Sequence, residues 1–303
     1  MIPTYRLRAD EPVADGLRRV ATGRAESAIQ HLRGKVDEEP AVAVHETRKD
    51  LKKLRSVLRL VRGPLGDGTY ARENSRYGEA ARVLSGPRDA EVKLETIAAL
   101  QERFGDSFPG DGLAVLIRAL EDERRALSEG MSLDDGAGPA ATAALQIEAG
   151  RDAIADWSLD GEDFELIAAG LKRSYRRGRN RFADTGEDPS AENVHEWRKR
   201  VKDLWYHLRL VRDARPGKLG RAADKAHDLS DLLGDHHDLA VLREDAESRT
   251  RLLSDEDLGG LGELVAQRQS ELLASATSLA EGLYAEPPKK FIARIERHWR
   301  KWR

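Results

Sequence analysis

Two segments of this chain carry His, Arg and Lys at the same spacing. VHETRKDLKKLRSVLRLVR runs from Val44 to Arg62, and VHEWRKRVKDLWYHLRLVR runs from Val194 to Arg212. The copies are offset by 150 residues without a gap, and 12 of their 19 positions are identical. Arginine offers forked donors and lysine a point charge, the two groups that proteins use to bind phosphate. The repeat therefore indicates binding of a polyanion.

On a helical wheel, the cations of each copy share one face, opposite the apolar residues. The basic faces hold His45, Arg48, Lys49, Lys52, Arg59 and, on the flank, Arg55 in the first copy, and His195, Arg198, Lys199, Lys202 and Arg209 in the second. Acidic residues lie at the margin of these faces or off them. Like charges at i, i+3, i+4 and i+7 repel each other and destabilise a helix, so their presence in both copies favours a binding role over a merely solvated surface.

Charge is segregated along the chain. Residues 171–182 contain six Lys or Arg and no acid, and Arg173 and Arg177 begin a third basic row at i, i+4 spacing. Residues 129–165, in contrast, hold ten acidic groups and one Arg. This predicts a focused positive site on an otherwise acidic body.

A weaker echo follows each copy: VLSGPRDAEV, which contains Arg88, and LLGDHHDLAV, which contains His236 and His237. The two histidines and Asp238 have ligand chemistry but lack the HxxxH or HExxH spacing of metal sites. Cysteine is absent, which excludes cysteine-ligated zinc, iron–sulfur clusters and a thiol nucleophile. Walker A, nucleophile-elbow and glycine-rich nucleotide motifs are also absent from the sequence. We expect no catalytic residue, metal or cofactor.

These residues must be positioned by helices, because runs with strand-like alternation are missing and apolar residues recur every three or four positions. The pattern predicts helices at 13–36, 40–63, 70–85, 87–105, 111–129, 140–157, 162–183, 190–213, 217–234, 236–253, 255–283 and 288–302. The repeat further predicts a duplicated helical unit, with bundles at 1–135 and 136–303 and a seam near 130–139.

Composition restricts the class of protein. The chain has 303 residues, 40% hydrophobic, which is enough for a core, and no apolar run as long as a membrane span. We expect a cytoplasmic protein without membrane contact. The net charge of −3 shows no global field that would mark a nucleic-acid binder.

The doubled VHExRKxxKxL pattern with its RD/HD echo resembles the CHAD family, the conserved histidine α-helical domain, over about Tyr5 to Trp302. The resemblance implies an all-α fold of two antiparallel bundles related by pseudo-twofold symmetry. It also implies a basic cleft between them that binds inorganic polyphosphate, often with targeting to polyphosphate granules.

Two alternatives remain at this point. A nucleic-acid-binding module could place its phosphates on the same basic faces. Base recognition would also require base-reading groups or exposed aromatics, and Tyr206 is the only aromatic near a basic face. An enzyme that processes polyphosphate or triphosphate is the other alternative, and metal dependence would reveal it.

Overall fold

The computed structural model describes residues 4–84, 86–105, 111–129, 138–249 and 251–303, and within these ranges it contains helices and no strand. The α-helices are α1 (Val13–Lys35), α2 (Pro40–Leu60), α3 (Arg62–Leu65), α4 (Asp67–Val83), α5 (Gly86–Phe104), α6 (Asp111–Glu129), α7 (Pro139–Asp152), α8 (Glu165–Glu187), α9 (Ala191–Val211), α10 (Arg221–Ser248), α11 (Asp255–Leu283) and α12 (Pro288–Trp302). A 3-10 turn at Arg212–Ala214 and a π-helical turn at Pro216–Gly220 connect α9 to α10. The predicted all-α class is confirmed. None of the helices in these ranges has both the length and the apolar content needed to cross a bilayer.

Side-chain caps define the starts of two helices, α9 and α11. The Ser190 side chain accepts a hydrogen bond from the Asn193 amide at the start of α9. At the start of α11, Ser254 and Asp257 form a capping box. Both arrangements satisfy amide groups that the first turn of a helix leaves without partners.

The predicted break between 217–234 and 236–253 is wrong, because α10 is continuous through Gly234. A glycine costs a helix only about 1 kcal/mol and does not by itself end it. The corresponding break in the first half does exist, since α4 ends at Val83 and α5 begins at Gly86. Pro87 follows at once, and a proline interrupts a continuing helix because it lacks the amide hydrogen.

One hydrophobic cluster runs through both halves of the chain. It includes Leu51 and Leu58 of α2 together with Leu204 and Leu208 of α9, all fully buried. The helix α1 packs on α2, α8 packs on α9, and α2 and α9 contact each other. The two repeat copies are therefore held side by side in the interior.

Packing crosses the predicted boundary at 135/136. The helix α7 lies beyond that boundary but packs on α1 and α4. A second cluster joins Leu100 of α5 and Leu116 of α6 to Leu242 of α10 and Leu261 of α11. Most of the predicted seam, residues 130–137, lies outside the described ranges, so the boundary and the pseudo-twofold relation stay predictions.

The helix α8 passes very close to the end of α2. A Cβ atom added at Gly170 would lie 1.9 Å from the Leu60 carbonyl oxygen. Only a residue without a side chain fits there, which fixes how α8 and its basic row lie against α2.

Candidate functional site

The basic faces of α2 and α9 lie opposite the faces that build the core. Leu51, Leu54 and Leu58 of α2 are fully buried, as are Val201, Leu204 and Leu208 of α9. The predicted cations of both helices are partly or fully accessible to solvent. This division follows from the 3.6-residue period of an amphipathic helix.

Lys52 of α2 and Lys202 of α9 lie in one positively charged environment. Desolvation, followed by the charges of Lys202, Arg48 and Arg198, lowers the pKa of Lys52 to about 7. Desolvation and then Arg198 lower the pKa of Lys202 to about 8, while carboxylates of α10 act in the opposite direction. The Lys52 residue as a whole is nevertheless exposed to solvent, so the site lies at the protein surface.

Neither lysine forms an ion pair or a side-chain hydrogen bond within the described ranges. The Lys202 ammonium lies 6.0 Å from the centre of the Trp205 ring. Cations brought together without direct counterions repel each other, and an incoming anion would relieve that repulsion. The two repeat copies thus contribute to one electrostatic site.

Arg198 extends this site toward α10. Its Nε would lie 3.3 Å from a Cβ atom added at Gly234, so the glycine lets the guanidinium approach the α10 backbone. The Arg198 Nε is buried and has no hydrogen-bond acceptor in the described part of the chain. The same holds for Nδ1 of His195, one turn earlier on α9. Buried polar atoms without partners are costly, which makes this edge of the site receptive to a ligand with hydrogen-bonding groups.

The rings of His195 and His237 lie against each other, with centroids 3.9 Å apart and planes tilted by 34°. Desolvation, followed by neighbouring charges that include Arg198 and Lys199, lowers the pKa of each histidine to about 4. Both rings are therefore neutral at pH 7. The sequence alone does not show this contact. The available signal was that a related segment follows each repeated helix, with Arg88 in the first half and His237 in the second.

Other predicted site residues also support the fold. Arg59 of α2 forms an ion pair with Asp203 of α9, with Nε and Oδ1 2.7 Å apart. Arg173 of α8 donates to the Arg59 carbonyl at 2.8 Å. Arg59, Arg173 and Arg177 also line a cavity of about 40 Å³ together with His207. These contacts tie α2, α8 and α9 together.

Arg48 and Arg55 face α4. The Arg48 guanidinium donates to the Leu84 carbonyl at 3.1 Å, just beyond the end of that helix. The Arg55 Nε donates to Oδ1 of Asn74 at 3.1 Å. Both residues therefore position α4 against α2 as well as adding positive charge.

Lys49 and Lys199 form equivalent ion pairs in the two copies. Lys49 contacts Glu46 at 2.8 Å, and Lys199 contacts Glu196 at 2.6 Å. Each basic face therefore includes one carboxylate that the helical wheel placed at its margin. The i, i+3 spacing of glutamate and lysine is the sequence signal for these ion pairs. Exposed pairs of this kind contribute about 0–1 kcal/mol, so an anion can displace the carboxylates.

The remaining predicted residues have different surroundings. The Arg209 guanidinium lies 5.5 Å from the Tyr5 ring centre and 5.3 Å from that of Trp205. His45 is half-exposed, with its Nε2 3.9 Å from a Glu46 oxygen. The side chain of Arg88 is outside the described part of the structure, so its predicted role stays a prediction.

Metal binding at His236 and His237 gains no geometric support. His236 is buried, and its carbonyl accepts a hydrogen bond from Gln269 Nε2 at 3.1 Å. The His237 ring instead lies against the His195 ring. Among the described residues, no three His, Asp or Glu side chains are grouped so that they could hold a metal ion.

Comparison with known proteins places the chain in a family. The model of the CHAD domain family matches residues 19–247. The crystal structure of the CHAD domain from the plant Ricinus communis is similar, with a TM-score of 0.69 and 19% identity, over 95% of this chain and 96% of that chain. PptA from Streptomyces chartreusis is similar with a TM-score of 0.60 and 16% identity, over 91% and 100% of the two chains. No curated protein sequence matches the chain. The structural likeness concerns the fold, whereas the family model covers well over half of the sequence, and the chain therefore belongs to the CHAD domain family.

Proposed function

We propose that this protein binds inorganic polyphosphate, without cleaving it, where the basic faces of α2 and α9 meet. The observation that carries the proposal is the environment of Lys52 and Lys202. Cations from both repeat copies are close enough for Lys202 to lower the pKa of Lys52, and neither has a direct acidic partner in the described ranges. Such a protein would act in the cytoplasm and at polyphosphate granules.

The spacing of the cations fits a linear polymer of phosphates. Side chains at i and i+4 lie about 6 Å apart along a helix, so one basic face can follow several successive phosphate groups. Two faces brought together would hold a flexible chain from both sides. Family membership supports the same ligand.

The aromatic side chains near the basic faces favour polyphosphate over a nucleic acid. Trp205 stacks on Tyr206, with ring centroids 4.6 Å apart, and on His227, at 4.2 Å. Tyr206 itself is buried. The expectation that Tyr206 is the only aromatic near a basic face is therefore wrong, because Trp205 lies beside Lys202 and Arg209. Binding of single-stranded nucleic acid relies on open aromatic faces that stack on bases, and these two rings do not provide one.

Neutralising both central lysines tests the proposal. The double variant Lys52→Gln/Lys202→Gln should bind long-chain polyphosphate about tenfold more weakly or worse, because two unpaired cations are lost from the site. Lys225→Gln, which removes an exposed lysine of α10, is the matched control and should bind like wild type. Affinity is measured by calorimetry or interferometry, with helical circular dichroism as the check on folding.

A competition experiment separates the alternatives. Single-stranded DNA at equal phosphate concentration should displace polyphosphate poorly. Equal displacement would favour the nucleic-acid-binding module, and wild-type affinity in the double variant would move the site away from α2 and α9.

A separate experiment tests whether the protein cleaves polyphosphate. Incubation with polyphosphate and Mg²⁺ or Mn²⁺ should leave the chain length unchanged on a gel, because the proposed site consists of cations and hydrogen-bond donors rather than metal ligands. Metal-dependent shortening that is lost in the Lys52→Gln/Lys202→Gln variant would instead identify an enzyme.

A further inference from the structure

The ring contact between His195 and His237 lies at the edge of the proposed site. The two rings come from different helices, α9 and α10, and are half-buried rather than sealed in the core. The Nδ1 of His195 is buried and has no hydrogen-bond partner within the described ranges. Arg198, whose charge also acts on Lys52 and Lys202, lies one turn further along α9. A ligand on the basic faces would therefore come within reach of both histidines.

The charged surroundings of the pair are mainly positive. Its neighbours on α9 are Arg198, Lys199 and Glu196, and the Glu196 carboxylate is already bound to Lys199 and Arg200. On α10 the preceding residue is His236, whose pKa is also lowered. The carboxylates of Asp235 and Asp238 flank the two histidines in the sequence, and desolvation together with Asp238 raises the pKa of Asp235.

The other helices around this region contribute further groups. From α2 comes Lys52, whose pKa is lowered by the charge of Arg198 and raised by that of Asp238 of α10. From α11, Gln269 is hydrogen-bonded to the His236 carbonyl, and Arg268 acts on Asp235. From α5, Lys93 is paired with Asp245 of α10. These groups supply no carboxylate that bonds directly to either ring in the described part of the chain.

The repeat shows what His237 replaces. Aligned on RD and HD, VLSGPRDAEV places Arg88 where LLGDHHDLAV places His237, while His45 and His195 correspond in the preceding helix. The first copy thus combines a histidine with an arginine that is always charged. The second copy combines a histidine with a second histidine, which is a cation only when protonated.

We propose that His195 and His237 form a proton-dependent anion-binding pair, which takes up at least one proton when polyphosphate binds and makes binding tighter in acid. The inference rests on the proposed function and specifies the regulation of that same site. Protonation adds an N–H group to a ring, and a phosphate oxygen accepts a hydrogen bond from it.

The sign of the effect follows from linkage. Without ligand, both imidazoles stay neutral down to about pH 4, since burial and the surrounding cations oppose a further charge. A bound polyanion favours the charged form and raises the pKa in the complex. Between these two pKa values binding takes up protons, so affinity rises by up to about tenfold per pH unit for each proton taken up.

The lysines titrate at higher pH and can be separated from the histidines. Lys52 and Lys202, with pKa values of about 7 and 8, are mostly protonated at pH 6.0 and below. The internal phosphates of a long chain are strong acids and stay ionised there. A change in affinity between pH 6.0 and 5.0 that is present in wild type and lost in His237 variants therefore reports the histidine pair, because the lysines and other nearby titratable groups are the same in both proteins.

The test is calorimetry with long-chain polyphosphate at pH 6.0 and 5.0 and constant ionic strength, in two buffers of different ionisation enthalpy. For wild type we expect a gain in affinity of about fivefold to tenfold at the lower pH and uptake of about one proton. His237→Arg, which copies the first repeat, should bind at pH 6.0 at least as tightly as wild type and lose most of the gain. His237→Gln should lose the gain without the tighter binding at pH 6.0. His298→Gln on α12, away from the pair, is the matched control and should behave like wild type.

The outcomes distinguish this inference from the proposed function. If wild type binds polyphosphate but shows no rise in affinity at pH 5.0 and no proton uptake, the proton-dependent role of the histidine pair is wrong and the proposed function still stands. An undiminished rise in affinity in both His237 variants leads to the same conclusion. Failure of wild type to bind polyphosphate at either pH removes the proposed function and this inference with it.

Discussion

At the scale of single residues, the same side chain takes different roles according to its partners. His207 shows this, because it lies on the repeated helix α9 but points into the core and is 1% exposed. Its Nε2 is 2.9 Å from the Ser56 carbonyl oxygen, and its Nδ1 is 3.0 Å from the Ser174 hydroxyl. A carbonyl can only accept, so Nε2 carries the proton in the neutral ring, and Nδ1 lies beside the Ser174 hydroxyl, which itself donates to the Leu171 carbonyl at 3.0 Å. His207 thereby joins α9 to α2 and α8.

This buried histidine should make the protein sensitive to acid. Desolvation lowers the pKa of His207 to about 4, so between pH 6.5 and 4 the unfolded chain binds a proton that the folded chain does not. The free energy of unfolding should fall across that window by up to about 3 kcal/mol from this residue alone. Urea unfolding of wild type and His207→Gln at pH 7 and 5 measures it.

His207→Gln should be less stable than wild type at pH 7, because it loses core packing and hydrogen bonds, but it should lose less stability on going to pH 5. Equal losses in the two proteins would contradict a neutral, buried His207.

At the scale of helices, the decisive contact is the crossing of α8 over the end of α2. Gly170 brings α8 so close to Leu60 that a Cβ atom would overlap the carbonyl oxygen. The Arg173 bond to the Arg59 carbonyl lies one turn further along α8. The close approach thus also sets the position of part of the predicted basic surface.

Gly170→Ala should destabilise the protein by about 3 kcal/mol, because the clash is with backbone and the two helices must separate. Gly186→Ala on the same helix is the control, since a Cβ atom there meets nothing within 4 Å. The control should be neutral or slightly stabilising, as alanine favours a helix over glycine. Chemical denaturation followed by circular dichroism compares the two, and equal stabilities would contradict the close crossing.

At the scale of the whole molecule, a net charge of −3 coexists with the cations gathered on the solvent-facing sides of α2 and α9. Binding of a polyanion to such a surface must come from the local field, because the rest of the surface opposes it. Salt should therefore weaken binding steeply.

The logarithm of the polyphosphate affinity should fall linearly with the logarithm of salt concentration, as counterions are released from neutralised phosphates. At pH 6.5, each of Lys52→Gln and Lys202→Gln should reduce the magnitude of that slope by about 1. Lys225→Gln should leave the slope unchanged. Affinity titrations at four or five salt concentrations measure it, and a slope that is near zero in wild type would argue against an electrostatic site.

The sequence by itself determined the class of fold and the face that each repeated helix buries. The helix predicted at 190–213 is observed at Ala191–Val211, and the one at 288–302 at Pro288–Trp302, because helical periodicity and Pro or Ser at helix starts are local signals. It also identified the basic faces and, through the doubled motif, the family. The continuity of α10 through Gly234 was missed, since the sequence offers a possible stop without showing what packs around it.

Only the tertiary structure decided which cations have structural partners and which do not. Arg59 meets Asp203 across two helices that are 150 residues apart in the repeat, while Lys52 and Lys202 meet no acid directly in the described ranges. The contact between His195 and His237 likewise joins separate helices. Periodicity assigns a side chain to a face of its own helix, but its partner and its pKa depend on which other helix packs against that face, and this is set by long-range packing such as the approach of α8 to α2 at Gly170.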